Sequence, residues 1–486
     1  MGGEVDSGFQ KKKKIILTAI IVSVVLLVLI VFLLIYFMIV DANRLKFAIN
    51  ETNYKVSISN LEGEDIQKAS ISVENKKYDL FCVKDGDYYF NINSLASLLD
   101  YEYKKGEYDP VSEDSDKCYI INEGEYSSFS LDSNVIKKQF YNYAKDNNSS
   151  GDSSDIKSEN VEIYTSDKEV IKIEDSLYAS AESIKIGFNV QIVTNGNQIT
   201  LYSLPYLAEK YKTYANERGY DDISSDFKNK RALVNDLLVV QDKGKYGVYS
   251  AKDEKELIST KYDSLEYVEN INQFICTYSG KVGMISIDSD LPTIDIKYDS
   301  IELLDIENML YMVSKGEKFG VVSGNGKIIV PIEYESIGLK DVSQFSNQNI
   351  ESKYFIGNDL IIVSNNGKYG FYKKDGTAVK ECVYEKLGCT TANKVMTPSD
   401  EYDYLNVLLV EIPSYNKNDN DEKNVSYGIV CGINDKYGIL DENGEIIIPL
   451  DWDAVFLAKS NRESDYYVAN LTTNEVKTVN QCLGFE

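Results

Sequence analysis

Apolar and polar positions follow three different patterns along the chain, and each predicts a different kind of element. The first is unbroken: Ile15 to Val40 reads IILTAIIVSVVLLVLIVFLLIYFMIV, 26 residues without a charge. At about 1.5 Å per residue a helix of that length exceeds the roughly 30 Å hydrocarbon core of a bilayer, so a single N-terminal transmembrane helix is predicted over 15–40. The run is longer than the apolar region of a cleaved signal peptide, and no small-residue cleavage site follows Val40, which predicts an uncleaved anchor. Lys11 to Lys14 stand directly before it, whereas Asp41, Arg44 and Lys46 mix signs after it. The positive-inside rule then makes 1–14 a cytoplasmic tail and exports everything past the helix. The expected topology is a single-pass protein of the cell membrane with its bulk extracytoplasmic.

The second pattern, over 41–204, alternates period-two runs with two short amphipathic stretches and predicts an α+β domain. Two units within it, about 78–121 and 168–204, repeat one order of elements. In the first, Asp85-Gly86-Asp87 predicts a hairpin turn, Asn93-Ser94 a helix cap, and Leu95, Leu98 and Leu99 the apolar face of that helix. In the second, Ala181 to Ile186 predicts a helix stopped by Gly187, and Asn195-Gly196 a turn joining strands 190–193 and 198–202. Residues 145–160, KDNNSSGDSSDIKSEN, read as an exposed polar loop, and 205–232 as a linker. Hairpin, short helix and hairpin in this order resemble the copper amine oxidase N-terminal-like domain of bacterial surface proteins, and that resemblance implies a stalk or wall-associated element.

The third pattern recurs. Over 233–486 one phrase returns five times, as GKYGVYS at Gly244, GKVGMIS at Gly280, EKFGVVS at Glu317, GKYGFYK at Gly367 and DKYGILD at Asp435. Each leads to a second phrase, and the offset from glycine to aromatic is 15, 15, 14, 14 and 14 residues for Gly247/Tyr262, Gly283/Tyr298, Gly320/Tyr334, Gly370/Tyr384 and Gly438/Trp452. Apolar runs before each first phrase, and turns such as Asn325-Gly326, Asp375-Gly376 and Asn443-Gly444 after it, predict a three-stranded meander per repeat and an all-β array. A unit so small cannot bury its own apolar face, so the copies are expected to stack.

These phrases resemble the WG repeat of bacteria, roughly Gly-Lys-Trp-Gly, a turn, then Ile-Pro-x-x-Tyr-Asp. Here Tyr246, Val282, Phe319, Tyr369 and Tyr437 stand where the first Trp would be, and Trp452 sits in a second phrase. The motif residues are assigned structural roles, each glycine taking a left-handed or crowded backbone position against which the aromatic packs. The pairs Tyr262-Asp263, Tyr298-Asp299, Tyr334-Glu335 and Tyr384-Glu385 carry an alternative, an aromatic-plus-carboxylate edge for a sugar. Two stretches interrupt the register, 338–360 and 387–427. Insertions in repeat arrays map to loops, so these are expected to meet partners.

Composition narrows the chemistry. A formal net charge of -26 repels nucleic acid and excludes it as a partner. Histidine is absent, which removes Ser-His-Asp and Cys-His nucleophiles, His-ligated zinc or copper, and imidazole acid-base catalysis. No catalytic, cofactor-binding or metal residue is assigned, and no copper is implied. Seven cysteines lack any CxxC or zinc-like spacing. Cys82 with Cys118, or Cys382 with Cys389, are candidate pairs in an oxidising compartment, and the odd total leaves one thiol unmatched. The expected function is that of a membrane-anchored, non-enzymatic envelope protein whose array binds cell-wall polymer or an envelope protein. Two alternatives stand beside it: a carboxylate-dependent hydrolase of wall glycan, and an extracytoplasmic ligand sensor working through a partner membrane protein. Both resemblances are to modules of Gram-positive surface proteins.

Overall fold

The computed structural model describes residues 29–30, 32, 45–61, 66–106, 116–122, 125–140, 161–289, 291–348, 350, 352–357, 359–391, 402–413, 425–460 and 464–485. The helix expected over 15–40 lies outside them except at Leu29, Ile30 and Phe32. Among the described residues no helix is long and apolar enough to cross a membrane. The longest, Leu204–Glu217, has 14 residues and carries Glu209, Lys210 and Lys212; it measures about 21 Å, short of a bilayer core. The expected fold class, one transmembrane helix ahead of an α+β domain and a three-stranded array, is therefore corrected. The described chain is mostly β-strand in many small sheets, with few and short helices, because its apolar residues are dealt out in strand-length runs of alternating burial. It divides into two compact units, Met1–Gly219 with Lys230–Leu237, and Tyr220–Asn229 with Leu238–Glu486.

Among the described residues unit 1 holds three sheets of four, five and six strands. The two sequence units share one of them, since Asp87–Asn91 pairs antiparallel with Ser176–Ser180. Lys46–Ile49 runs parallel to Gln198–Tyr202 in another. The core gathers Phe47, Phe81, Phe90, Leu95, Phe129, Ile184 and Phe188, none more than 1% exposed. Asn91, one residue ahead of Ile92–Leu98 and earlier than the expected cap, accepts the Ser94 N–H at 3.0 Å. The second helix runs Ala181–Phe188 through Gly187 and ends at left-handed Asn189, φ 52°. Gly187 serves packing instead of termination, because a Cβ there would stand 2.3 Å from Cζ of Phe129.

The stretch read as a linker, 205–232, is structured. Leu204–Glu217 buries Leu207, Tyr211 and Ala215, and the segment Lys230–Leu237 belongs to unit 1. Arg231, 1% exposed, lies 2.9 Å from Glu162 Oε2 and 3.6 Å from Glu125 Oε2, while Lys138 Nζ meets Glu125 Oε1 at 3.2 Å. Asp236 accepts from Gln191 Nε2 at 2.9 Å and from the Tyr211 hydroxyl.

Among the described residues unit 2 is a run of six sheets, each built on four strands where three were expected. In the third, for example, Ser300–Asp305, Leu310–Lys315, Lys318–Ser323 and Ile328–Tyr334 lie in sequence order, with the first phrase on the third strand and the second phrase on the fourth. The added strand follows the second phrase and opens the next sheet. Each core cluster draws on two successive sheets, such as Met284, Ile294 and Tyr298 with Tyr311, Val313 and Val322, or Val330 and Tyr334 with Ile361 and Val363. This is nearest-neighbour stacking of repeats.

The two insertions are not simple loops. Each leaves after a two-residue strand, Ser336–Ile337 or Lys386–Leu387, and returns as Phe355–Ile356 or Leu409–Pro413 beside the same neighbouring strand. The two-residue strands leave part of each neighbouring strand's backbone without partners, and the returning segments supply them. The second insertion also gives Asp403–Leu405 to the sixth sheet. That sheet has no first or second phrase, and the helix Val479–Leu483, closed by a Thr478/Gln481 capping box, follows its last strand.

Candidate functional site

Each second phrase closes one sheet and opens the next. Tyr262, Tyr298, Tyr334 and Tyr384 end the fourth strands at 9% exposure or less, and the single residue after each is a link between sheets: Asp263, Asp299, Glu335 and Glu385, with Asp453 after half-buried Trp452. The N–H groups of these five donate to the strand paired with the one they lead into, at Thr277, Ser314, Ser364, Gly432 and Ala469, over 2.8–2.9 Å. Their carboxylates reach the hairpin after that strand. Asp263 accepts the Ser279 N–H at 2.7 Å, Asp299 that of Gly316 at 2.7 Å, Glu335 that of Asn366 at 2.9 Å, Glu385 that of Asn434 at 3.0 Å and Asp453 that of Leu471 at 2.8 Å.

At three links the lysine of the preceding phrase takes the other oxygen: Lys245 on Asp263, Lys281 on Asp299 and Lys436 on Asp453. These lysine hydrogen bonds first, and the backbone donors second, hold the three carboxyls below the ordinary aspartate range. The next residue adds a hydroxyl pair at Ser264–Thr277, Ser300–Ser314 and Ser336–Ser364, 2.6–2.9 Å. Asp221 makes the same clasp ahead of the first sheet, accepting the Lys243 N–H at 2.7 Å. Sequence reading missed this copy because no first phrase precedes it; the Tyr220-Asp221 dipeptide was its signal.

Across each third and fourth strand the motif residues meet in pairs: Tyr246 with Tyr262, Val282 with Tyr298, Phe319 with Tyr334, Tyr369 with Tyr384 and Tyr437 with Trp452. Register shifts follow at once in every sheet, and the phrase glycine lies opposite the bulge. A Cβ at Gly247, Gly283, Gly320, Gly370 or Gly438 would stand 2.5–2.7 Å from a carbonyl oxygen of the fourth strand. None of the five has a positive φ, so crowding alone demands glycine. The motif residues are thus joined within each sheet and are not drawn together into one site.

All seven cysteines are free, so neither candidate pair forms. Burial pushes Cys82 and Cys276 up to about 11 and Cys118 and Cys431 up to about 12, keeping them as thiols. Among the described residues no group of Cys, Asp and Glu could hold a metal ion.

Where the repeat pattern ends, the surface changes. A groove of about 270 Å³ is lined by Ile412, Tyr427, Ile447, Leu483 and Phe485, with Asp441, Glu442 and Asn443 beside them. Ile412 comes from the returning strand of the second insertion, Tyr427 from the strand paired to it, and Leu483 and Phe485 from the C-terminal helix and the residues after it. Tyr427 and Phe485 are 46% and 45% exposed, and neighbouring Ile446 is 52% exposed.

A family model described as a WG-containing repeat matches residues 319–339 and 437–461. Both stretches begin on the residue before a phrase glycine and run past the second-phrase aromatic. The likeness of 78–204 to the copper amine oxidase N-terminal-like domain lies outside them and rests on sequence pattern alone. No curated protein matches the chain. Among solved structures, a eukaryotic initiation factor is 9% identical, covering 88% of this chain and 96% of its own, with a TM-score of 0.25. Hsv2 of Kluyveromyces lactis is 8% identical, covering 50% of this chain and 94% of its own, with a TM-score of 0.16. Likenesses at that level carry no argument about fold or function.

Proposed function

We propose that the chain is a non-enzymatic repeat scaffold of the bacterial envelope that binds wall polymer or an envelope protein where its repeats are interrupted. One observation carries this reading: the residues that repeat are already engaged in holding sheet to sheet. The second-phrase tyrosines are buried, and the carboxylates beside them are occupied by backbone N–H groups of the next hairpin. Little that repeats is left to recognise a sugar edge. Recognition then falls to the insertions and the C-terminal end, where a rigid array displays surface that packing does not dictate. Unit 1 serves as a spacer in this reading, as its stalk-like resemblance implies.

A carboxylate-dependent hydrolase finds less support. A general acid needs a carboxyl held above its ordinary range, whereas Asp263, Asp299, Asp305 and Asp453 are all held below it. The deciding experiment is retention of the full chain on purified peptidoglycan and on immobilised envelope proteins. Saturable retention on either supports the scaffold; background levels on both would remove it.

A further inference from the structure

Resting on the scaffold reading, we propose that the groove between the second insertion and the C-terminal helix is its recognition site, and that it holds an extended segment of a partner protein. That segment inserts one bulky apolar side chain among Ile412, Tyr427, Ile447, Leu483 and Phe485 and sets a Lys or Arg against Glu442.

Three observations converge on this. The groove forms where the fifth repeat, through Asp441, Glu442, Asn443 and Ile447, meets parts that do not repeat, Ile412 of the returning strand Leu409–Pro413 and Leu483 and Phe485 at the helix Val479–Leu483. Two aromatic rings stand nearly half exposed over it, and half-buried aromatics around an apolar hollow are what binding hot spots are built from. Its volume, about 270 Å³, falls just under the roughly 300–1,000 Å³ of small-molecule pockets and suits a single side chain.

Charge and polarity then choose the occupant. Asp441 is turned to its own loop, accepting the Asn443 and Glu445 N–H groups at 2.9 and 2.8 Å, and Asn443 Oδ1 accepts from Lys373 Nζ at 3.2 Å. Glu442 is exposed and makes no hydrogen bond or ion pair among the described residues, which leaves its charge for a cation on the partner. The walls Ile412, Ile447 and Leu483 offer no hydrogen-bonding side chain. The polar groups of the lining are Tyr427, Asp441, Glu442 and Asn443, and a neutral glycan carries no cation to set against Glu442, which favours a basic peptide.

The test uses the full chain and a fluorescein-labelled peptide, Lys-Lys-Leu-Phe-Lys-Lys, read by fluorescence anisotropy, with Glu-Glu-Leu-Phe-Glu-Glu as its twin. The lysine peptide is expected to bind about tenfold more tightly than the twin, and Phe485→Ser and Glu442→Lys are each expected to weaken it about tenfold. Both positions are exposed, and an unchanged melting curve verifies folding of each variant. Equal binding of the twins, unchanged binding in both variants, or displacement of the peptide by an N-acetylglucosamine hexamer would each overturn the proposal. Retention of envelope material by the full chain with no peptide binding would sink the groove alone. Loss of both would sink the scaffold reading with it.

Discussion

Asp299 Oδ2 accepts the backbone N–H of Gly316 at 2.7 Å, so the residue that ends the second sheet is fastened to a hairpin of the third. Its other oxygen takes Lys281 of the second sheet. A carboxylate at this link therefore joins two successive sheets with one side chain. Asp299→Ala is expected to lower the melting temperature by about 2–4 °C, and Asp299→Asn by less, since an amide oxygen still accepts from Gly316. An unchanged melting temperature in the alanine variant would mean the clasp is ornamental.

The same carboxylates set a pH dependence. Asp263, Asp299 and Asp453 have folded pKa values below the usual range, their lysine partners being the largest cause. A depressed folded value means the contribution is fully present above the unfolded pKa of about 3.9, and is lost as pH falls through the folded values. Melting followed by circular dichroism should thus decline steeply below about pH 4. The combined Asp263→Asn, Asp299→Asn and Asp453→Asn variant should follow a flatter curve; identical curves would assign acid sensitivity to other groups.

Gly320 faces the carbonyl oxygen of Val330, which a Cβ would approach to 2.7 Å. Gly320→Ala is expected to cost about 2 kcal/mol or more, because strand backbone and not a pliable side chain must move. Gly316→Ala is the contrast: its φ is 63° and nothing lies within 4 Å, so its cost is conformational alone, about 1 kcal/mol. Urea denaturation of the two variants distinguishes them, and equal losses would discount the crowding.

Two tyrosines of the third sheet separate burial from hydrogen bonding. Tyr311 is 0% exposed, and its hydroxyl has no hydrogen-bond partner among the described residues; burial pushes it up to about 12. Tyr334 shares a 2.9 Å hydrogen bond with the Tyr372 hydroxyl. Tyr311→Phe should be neutral or stabilise by up to about 2 kcal/mol, since it removes an unsatisfied group, whereas Tyr334→Phe should cost about 1 kcal/mol. Destabilisation by Tyr311→Phe would point to a partner for that hydroxyl.

What could be read from the sequence followed from what is periodic or local. The glycine-to-aromatic register placed Gly320 opposite the strand that ends at Tyr334, and Asp85-Gly86 forms its hairpin turn with φ of 54° and 87°. The sheet boundary was displaced because Tyr298, Asp299 and Ser300 look like the end of one repeat, while the chain treats Ser300 as the start of the next sheet. The roles of Asp299 and Glu335 stayed hidden because their partners are backbone N–H groups 17 and 31 residues on, and a backbone donor leaves no mark on composition. The groove at Phe485 and Ile412 was illegible for a related reason. It joins a chain end to an insertion, and no spacing rule connects the two.

Arg231 is the case where local reading misled most. It sits in a polar run, Lys228-Asn229-Lys230-Arg231, that looks like linker, yet its side chain is 1% exposed between Glu162 and Glu125. Burial pushes Glu162 up, and the guanidinium outweighs burial and holds it below its ordinary range. Removing one member of such a buried group strands the others, at about 3–5 kcal/mol. Arg231→Met should therefore lower the urea midpoint of unit 1 and raise the pKa of Glu162. Lys138, 3.2 Å from Glu125 Oε1, also lowers Glu162 by its charge and will moderate the loss at both carboxylates. The segment Lys230–Leu237 belongs to unit 1 although residues of unit 2 precede it, so a fragment ending at Gly219 should be markedly less stable than one ending at Leu237. Equal stability of the two fragments, together with a wild-type midpoint for Arg231→Met, would show that unit 1 is complete without that returning segment.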